Sequence, residues 1–141
     1  MFVSDLKLGQ YYELKALELF DYKTYEHSKC KNKYYDLKLI MKNDTIILVE
    51  VKCDRLAIRT QNIAIEYMCN NKDSGIKTTN ANYYIYYIIG TNIVYKIPTL
   101  ELLNICTDCK IVYGGDRKQS KMYLVPMNIL DIYRVKQNDK I

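Results

Sequence analysis

Two charged residues interrupt the most apolar stretch of this chain. Residues 45–53 read Thr-Ile-Ile-Leu-Val-Glu-Val-Lys-Cys, and these β-branched and apolar side chains predict a buried strand. Because side chains alternate between the two faces of a strand, Glu50 and Lys52 share one face. An unpaired buried charge costs several kcal/mol. The pair therefore indicates either a satisfied salt bridge or a functional site.

A further carboxylate is placed to meet this pair. Residues 34–41 read as a strand and residues 42–44 as a turn, so that a hairpin joins them to the Glu50 strand. Asp36, on the first strand, could then lie across the hairpin from Glu50.

Two carboxylates that meet at one point repel each other, and a divalent cation removes that repulsion. Oxygen ligands of this kind suit Mg²⁺ or Mn²⁺, and the carbonyl of Val51 could add a third protein oxygen. Such a metal polarises a phosphoryl group and activates water, while Lys52 could orient that water and stabilise charge on the phosphate. The residues are thus sufficient for phosphodiester hydrolysis. A solvated strand face or a structural salt bridge is the alternative.

The rest of the chain predicts one mixed α/β domain over residues 1–135, with a flexible tail at 136–141. Residues 70–82 are polar and rich in turn-forming residues. The other predicted elements are helices at 4–20, 60–70, 99–106 and from Pro126 to about 134, and strands at 22–27, 83–89, 93–97, 111–113 and 122–125, the last two paired.

Charge and composition set broad limits on function. The 141 residues carry a formal charge of +5, which permits a nucleic-acid partner without requiring one. Residues 1–8 lack the apolar core of a signal peptide, and the longest apolar run, residues 83–89, is too short to span a membrane. We therefore expect an intracellular protein with reduced thiols and no membrane partner. The 15 tyrosines reflect AT-rich codons, which suggest a low-GC bacterium or a virus in its host cell.

The pattern of Asp36 followed by Glu50-x-Lys52 resembles the PD-(D/E)XK nuclease superfamily. That family carries an acidic residue on one strand and acid-x-Lys on the next. Tyr35 stands where the motif name has proline. Glu13 lies where many members contribute a glutamate from the first helix, and the spacing is similar to that of small Holliday-junction resolvases. The resemblance implies a restriction-endonuclease-like fold, which is a single α/β domain with a central mixed sheet flanked by helices.

A second block of sequence resembles small viral and phage-type members of this superfamily. Residues 60–67 and 74–81 follow their Thr-Gly-Asn and Ser-Gly-Ile patterns, and aromatic residues follow at 83 and 84. Gln61 replaces the usual glycine. Asn82 replaces the usual aspartate, so no metal role is carried over to that position.

The resemblance implies a magnesium-dependent (endo)deoxyribonuclease, with Mn²⁺ as a substitute metal and no small-molecule cofactor. Asp36 and Glu50 would hold the metal, Glu13 would be a further or water-mediated ligand, and Lys52 would be the catalytic lysine. Asn62 and Glu66 would share one face of the predicted helix, with Glu66 behind the metal ligands or at a second metal. Residues implied in DNA binding or in support of the site are Arg55, Arg59, Thr60, Asn62, Glu66, Ser74 and Thr78.

Two alternatives stay open within this assignment. The chain could be a branched-DNA resolvase that acts as a homodimer, because two symmetric strands must be cut. It could also be a DNA-binding module that keeps the nuclease fold without catalysis. A phosphate-binding regulatory domain unrelated to nucleic acid has only the modest positive charge in its favour.

Several smaller motifs have ordinary interpretations beside functional ones. Cys106 and Cys109 are spaced like half a zinc site, but single buried thiols are the default. His27, the only histidine, is more readily a surface residue or a phosphate contact than a metal ligand. The basic clusters Lys29/Lys31/Lys33 and Arg117/Lys118/Lys121 are solvated loops or phosphate contacts.

Overall fold

The computed structural model describes residues 5–28, 34–115 and 117–136. The basic cluster Lys29/Lys31/Lys33, the start of the predicted first helix and almost all of the predicted tail lie outside these residues. The helices are α1 (Asp5–Ala16), α2 (Ala57–Thr60) and α3 (Thr99–Cys106), with 3-10 helices at Leu17–Leu19, Gly75–Lys77 and Met127–Tyr133. The strands are β1 (Tyr22–His27), β2 (Leu37–Met41), β3 (Ile46–Asp54), β4 (Asn62–Cys69), β5 (Lys72–Asp73), β6 (Tyr83–Ile88), β7 (Val94–Pro98), β8 (Lys110–Gly114) and β9 (Ser120–Pro126).

The predicted α/β class, with a central mixed sheet flanked by helices, is confirmed. Five strands form this sheet in the order β1-β2-β3-β6-β7, and β3 and β6 are its one parallel pair within the described residues. The hairpin β2–β3 and the pairing of β8 with β9 were both predicted and both form. The last predicted helix is a 3-10 helix, Met127–Tyr133.

The predicted helix over residues 60–70 is wrong. α2 ends at Thr60, because Gln61 adopts a left-handed backbone conformation, and the chain then continues as strand β4. Ile63, Ile65 and Tyr67 are all buried, and the residues between them are half-buried. This alternation is the period of a strand with one buried face. β4 belongs to a second, antiparallel sheet in the order β5-β4-β9-β8, which the sequence analysis did not predict.

Two hydrophobic clusters cover the faces of the first sheet. One lies under α1 and includes Val49 and Ile85, with Val51 packed against it. The other joins the opposite face to the second sheet and α3, and includes Tyr84 and Tyr86. Because Val49 and Val51 point towards α1, the residues that alternate with them on β3 point towards the second sheet.

No helix in the described part of the chain is long and apolar enough to cross a membrane.

Candidate metal centre

Asp36 is fixed against the backbone of β3 at the point where the hairpin opens. Its N–H donates to the carbonyl of Val49 over 2.9 Å, and its Oδ2 accepts a hydrogen bond from the N–H of Val51 over 2.7 Å. β2 begins at Leu37, which pairs with Val49, so the next position of the register sets Asp36 opposite Glu50. The Asp36 carboxylate thus accepts the hydrogen bond of a β3 backbone N–H beyond the end of the β2–β3 pairing, and this bond sets its orientation.

Glu50 and Lys52 form an ion pair on the face of β3 that points away from α1. Lys52 Nζ lies 3.3 Å from Glu50 Oε1. The side chain of Glu50 is 13% exposed and that of Lys52 is 50% exposed. On the neighbouring strand, Glu50 is in register with Tyr84 and Lys52 with Tyr86. The carboxylate is therefore largely removed from water, while the ammonium reaches the surface.

Burial raises the pKa of all three carboxyl groups of this region, and the charge of Asp36 raises that of the other two. The pKa of Glu50 is raised to about 7, chiefly by burial and further by the charges of Asp36 and Glu13, although Lys52 acts to lower it. Burial also raises the pKa of Asp36, against the hydrogen bond from Val51 and the charge of Lys52. The pKa of Glu13 is raised by burial first and then by Asp36. Partly desolvated carboxylates that repel one another favour a cation between them.

The donor set fits a hard divalent cation at Asp36 and Glu50. The N–H and C=O of one strand residue point to the same side, so the carbonyl of Val51 is directed to the side where its N–H meets Asp36. Two carboxylates and a carbonyl are oxygen ligands of the type Mg²⁺ takes, with water completing its shell. Among the described residues no group of three His, Cys, Asp or Glu side chains lies close enough to hold a metal.

Glu13 contacts a residue that the sequence analysis did not connect with it. Its Oε2 lies 3.5 Å from Nδ1 of His27, at the end of β1. His27 was interpreted as a surface residue or phosphate contact, and 44% of its side chain is exposed. Glu13 therefore has a partner within the protein, and its role as a further metal ligand stays a prediction.

Glu66 lies near the site, but on a strand rather than on the predicted helix. It accepts hydrogen bonds from the hydroxyl of Ser74 over 3.1 Å and from that of Ser120 over 2.7 Å. Glu66 lines a cavity of about 230 Å³ together with Lys52 and Tyr84. Asn62, four residues before it, lies about 13 Å away along β4, instead of one helical turn. The structure thus links Glu66 to Lys52 through a shared cavity.

The hydroxyl groups implied in DNA binding or in support of the site form hydrogen bonds within the protein. Ser74 donates to Glu66, and Thr78 Oγ1 donates to the carbonyl of Gly75 over 3.3 Å, an ordinary turn contact. Thr60 Oγ1 donates to the carbonyl of Asn62 over 3.1 Å.

The two arginines lie just beyond the end of β3. Arg55 follows the strand directly and Arg59 lies in the last turn of α2, and both are exposed. Asp54 Oδ1 accepts hydrogen bonds from the N–H groups of Leu56 and Ala57 over 2.8 and 2.9 Å. This carboxylate fixes the turn that carries the two arginines.

Asn82 anchors the parallel pair of strands on which the site is built. Its Oδ1 accepts from the N–H of Leu48 and its own N–H donates to the carbonyl of Leu48, both over 2.7 Å. The position was given no metal role, and these contacts are structural. The sequence signal that could have identified this contact is a polar residue, Asn82, directly before the apolar strand β6.

No protein-family model, no curated protein and no solved structure matches the chain.

Proposed function

We propose that the chain is a magnesium-dependent nuclease that hydrolyses phosphodiester bonds in DNA. The observation that carries the proposal is the pairing of Asp36 with Glu50 beside Lys52, in an environment that raises the pKa of Glu50 to about 7. This carboxylate pair is stabilised by a bound cation and destabilised without one. The resemblance of Asp36 and Glu50-x-Lys52 to the PD-(D/E)XK pattern supports the same reaction.

Each residue of the site has a distinct task in this proposal. Asp36, Glu50 and the carbonyl of Val51 would hold Mg²⁺, and Mn²⁺ would substitute for it. The bound metal would supply Lewis-acid polarisation of the phosphate and a more acidic water.

Lys52 is the residue that acts on the substrate itself. Its half-exposed ammonium, held by Glu50, orients the attacking water and stabilises the charge that develops on the phosphate oxygens. Hydrolysis adds a hydroxyl to phosphorus and a proton to the leaving oxygen as the P–O bond breaks. The proton that the attacking water loses passes to solvent, and the leaving oxygen takes its proton from solvent. The Lys52 ammonium donates hydrogen bonds to the phosphate oxygens while their charge develops.

The proposed substrate follows from charge around the site. Arg55 and Arg59 are exposed immediately after the catalytic strand, where they can contact backbone phosphates on either side of the scissile bond. The formal charge of +5 supports a polyanionic substrate. Binding should therefore weaken as the salt concentration rises.

The test is a cleavage assay on single-stranded, duplex, flap and four-way-junction DNA, each with Mg²⁺, Mn²⁺ or EDTA. Lys52→Ala is the test variant. Lys72→Ala, at an exposed lysine on β5, is the matched control. We expect metal-dependent cleavage that falls about 100-fold or more in Lys52→Ala and is unchanged in the control.

The other outcomes are also informative. Unchanged cleavage in Lys52→Ala and in Glu50→Ala would refute the mechanism. DNA binding without cleavage of any substrate would favour a non-catalytic DNA-binding module. Preference for the four-way junction, with a dimer mass by light scattering, would identify a resolvase.

A further inference from the structure

A second buried charge lies on the first sheet, two strands across from Val51. Lys96, on β7, is 9% exposed and is flanked in sequence by the buried residues Tyr95 and Ile97. Within the described residues it forms no ion pair. A lysine is almost never this buried unless it is paired, so its charge calls for a counter-charge that the described chain does not supply.

The contacts of the ammonium group leave it only partly satisfied. Lys96 Nζ donates to the carbonyl of Leu19 over 3.2 Å. The nitrogen also lies 3.9 Å from the ring centre of Phe20 and 5.2 Å from that of Tyr83. Aromatic faces attract a cation but do not neutralise it. Burial lowers the pKa of Lys96 to about 8, because no anion stabilises its charged form.

A cavity of about 290 Å³ opens at this ammonium group. Leu19 and Tyr83, which contact Nζ, both line the cavity, so the nitrogen lies at its wall. Pro98, Ile132 and Val135 provide apolar surface. The volume is at the small end of ligand cavities, and its mixed lining suits a compact molecule with one charged end.

The charged groups around the cavity favour an anion. Arg134 lines it as a second cation, with Nη2 3.5 Å from Oδ1 of Asn92. Glu101 is the one carboxylate among the lining residues; its charge, after burial, raises the pKa of Tyr133. Two cations therefore face one anion, and the buried member of the three is Lys96.

We propose that this cavity binds a small organic anion that has one carboxylate or phosphate-monoester group on an apolar body. The anionic group accepts hydrogen bonds from Lys96, and the body lies against Tyr83, Pro98 and Ile132. The inference is independent of the proposed nuclease, because Asp36, Glu50 and Lys52 do not line this cavity.

The experiment uses the full chain and three probes: phenyl phosphate, benzoate and inorganic phosphate, with benzyl alcohol as a neutral control. Binding is measured by titration calorimetry for the wild type, Lys96→Met and Lys23→Met. Methionine keeps the apolar stem of lysine and removes its charge. Lys23 pairs with Asp44 on an exposed edge and is the matched control.

We expect at least one aromatic anion to bind the wild type and Lys23→Met alike. Binding to Lys96→Met should be weaker by about tenfold or more, since a charged hydrogen bond is lost. Benzyl alcohol should bind at least about tenfold more weakly than the anion, because it lacks the charge. Binding by phenyl phosphate but not benzoate would assign a phosphate ester, and the reverse would assign a carboxylate.

A second measurement does not depend on the folding of the variant. Lysine labelled with ¹³C at Cε reports each ammonium group of the wild-type protein by NMR. The Lys96 signal should move on addition of the bound probe while that of Lys23 stays in place. Absence of binding by all three probes, equal binding to Lys96→Met, or an unmoved Lys96 signal would overturn the proposal.

Discussion

The replacement of Glu50 by glutamine should stabilise the metal-free protein while it removes a proposed metal ligand. Glutamine keeps the shape of the side chain and cannot ionise. In the wild type, burial and the nearby carboxylates raise the pKa of Glu50 to about 7 from 4.5. At pH 8 the folded protein must therefore hold an unfavourable charge that the unfolded chain holds freely in water. The variant avoids this cost.

The direction and size of the effect follow from proton linkage. Between pH 4.5 and pH 7 the folded state keeps the proton of Glu50 and the unfolded state has released it, so stability falls as the pH rises through this window. At about 1.4 kcal/mol for each pKa unit, this single group removes about 2 to 3 kcal/mol of stability between pH 5 and pH 8. Loss of the ion pair with half-exposed Lys52 offsets this by less than about 1 kcal/mol.

The assay is urea unfolding of both proteins at pH 5 and pH 8 in the presence of EDTA. Glu18→Gln, at an exposed glutamate, is the control for the substitution itself. We expect the stability of Glu50→Gln relative to wild type to increase by about 2 kcal/mol from pH 5 to pH 8. The effects of pH on Asp36 and Glu13 largely cancel in this difference. A relative stability that is the same at both pH values would refute the reasoning.

Three further predictions can be tested by the same unfolding measurements. Mg²⁺ at about 100 times its dissociation constant should stabilise the wild type by about 2.7 kcal/mol. The same Mg²⁺ concentration should stabilise Glu50→Gln by much less. Gly75→Ala should lower the free energy of unfolding by about 2 kcal/mol or more, because φ is +52° and a Cβ would collide with the carbonyl of Glu66. Gly9→Ala, in α1 and with open space around it, should instead raise the free energy of unfolding by about 1 kcal/mol. Ser120→Ala should cost about 1 kcal/mol or more, because Glu66 loses its 2.7 Å hydrogen bond; a smaller loss would mean that water replaces the hydroxyl.

The elements that could be predicted from the sequence are those with a local signal. The hairpin β2–β3 followed from a turn between two apolar runs, and its register follows from the short connection. This register also brings Asp36 to Glu50, so that part of the site could be anticipated. Glu13 could not be located in the same way, because its position depends on how α1 packs on the sheet and on the contact with His27.

β4 was assigned to a helix because the apolar residues at 63, 67 and 68 satisfy a helical spacing. The alternation of Ile63, Ile65 and Tyr67 fits a strand better, and two β-branched residues favour it. The deciding contacts are distant: β4 pairs with β9, nearly 60 residues later in the chain. The environment of Glu66 depends on this pairing, since one of its two hydroxyl partners is Ser120. The predicted helix was wrong, and the structure nevertheless places Glu66 in one cavity with Lys52. The role of Glu66 at the site stays a prediction.

A charged residue within an apolar strand occurs at two places in this sequence, but only the first of them was interpreted as a functional site. Lys96 is a charge within an apolar strand, as Glu50 and Lys52 are, yet no acidic residue lies on its strand to suggest a site. The structure gives the two lysines opposite environments: Lys52 is half-exposed and paired, whereas Lys96 is buried against Phe20 and unpaired within the described chain. Because an unpaired buried charge is destabilising, an anionic partner would stabilise Lys96 more than Lys52. The absence of a neighbouring opposite charge is therefore a reason to look for a ligand at such a lysine.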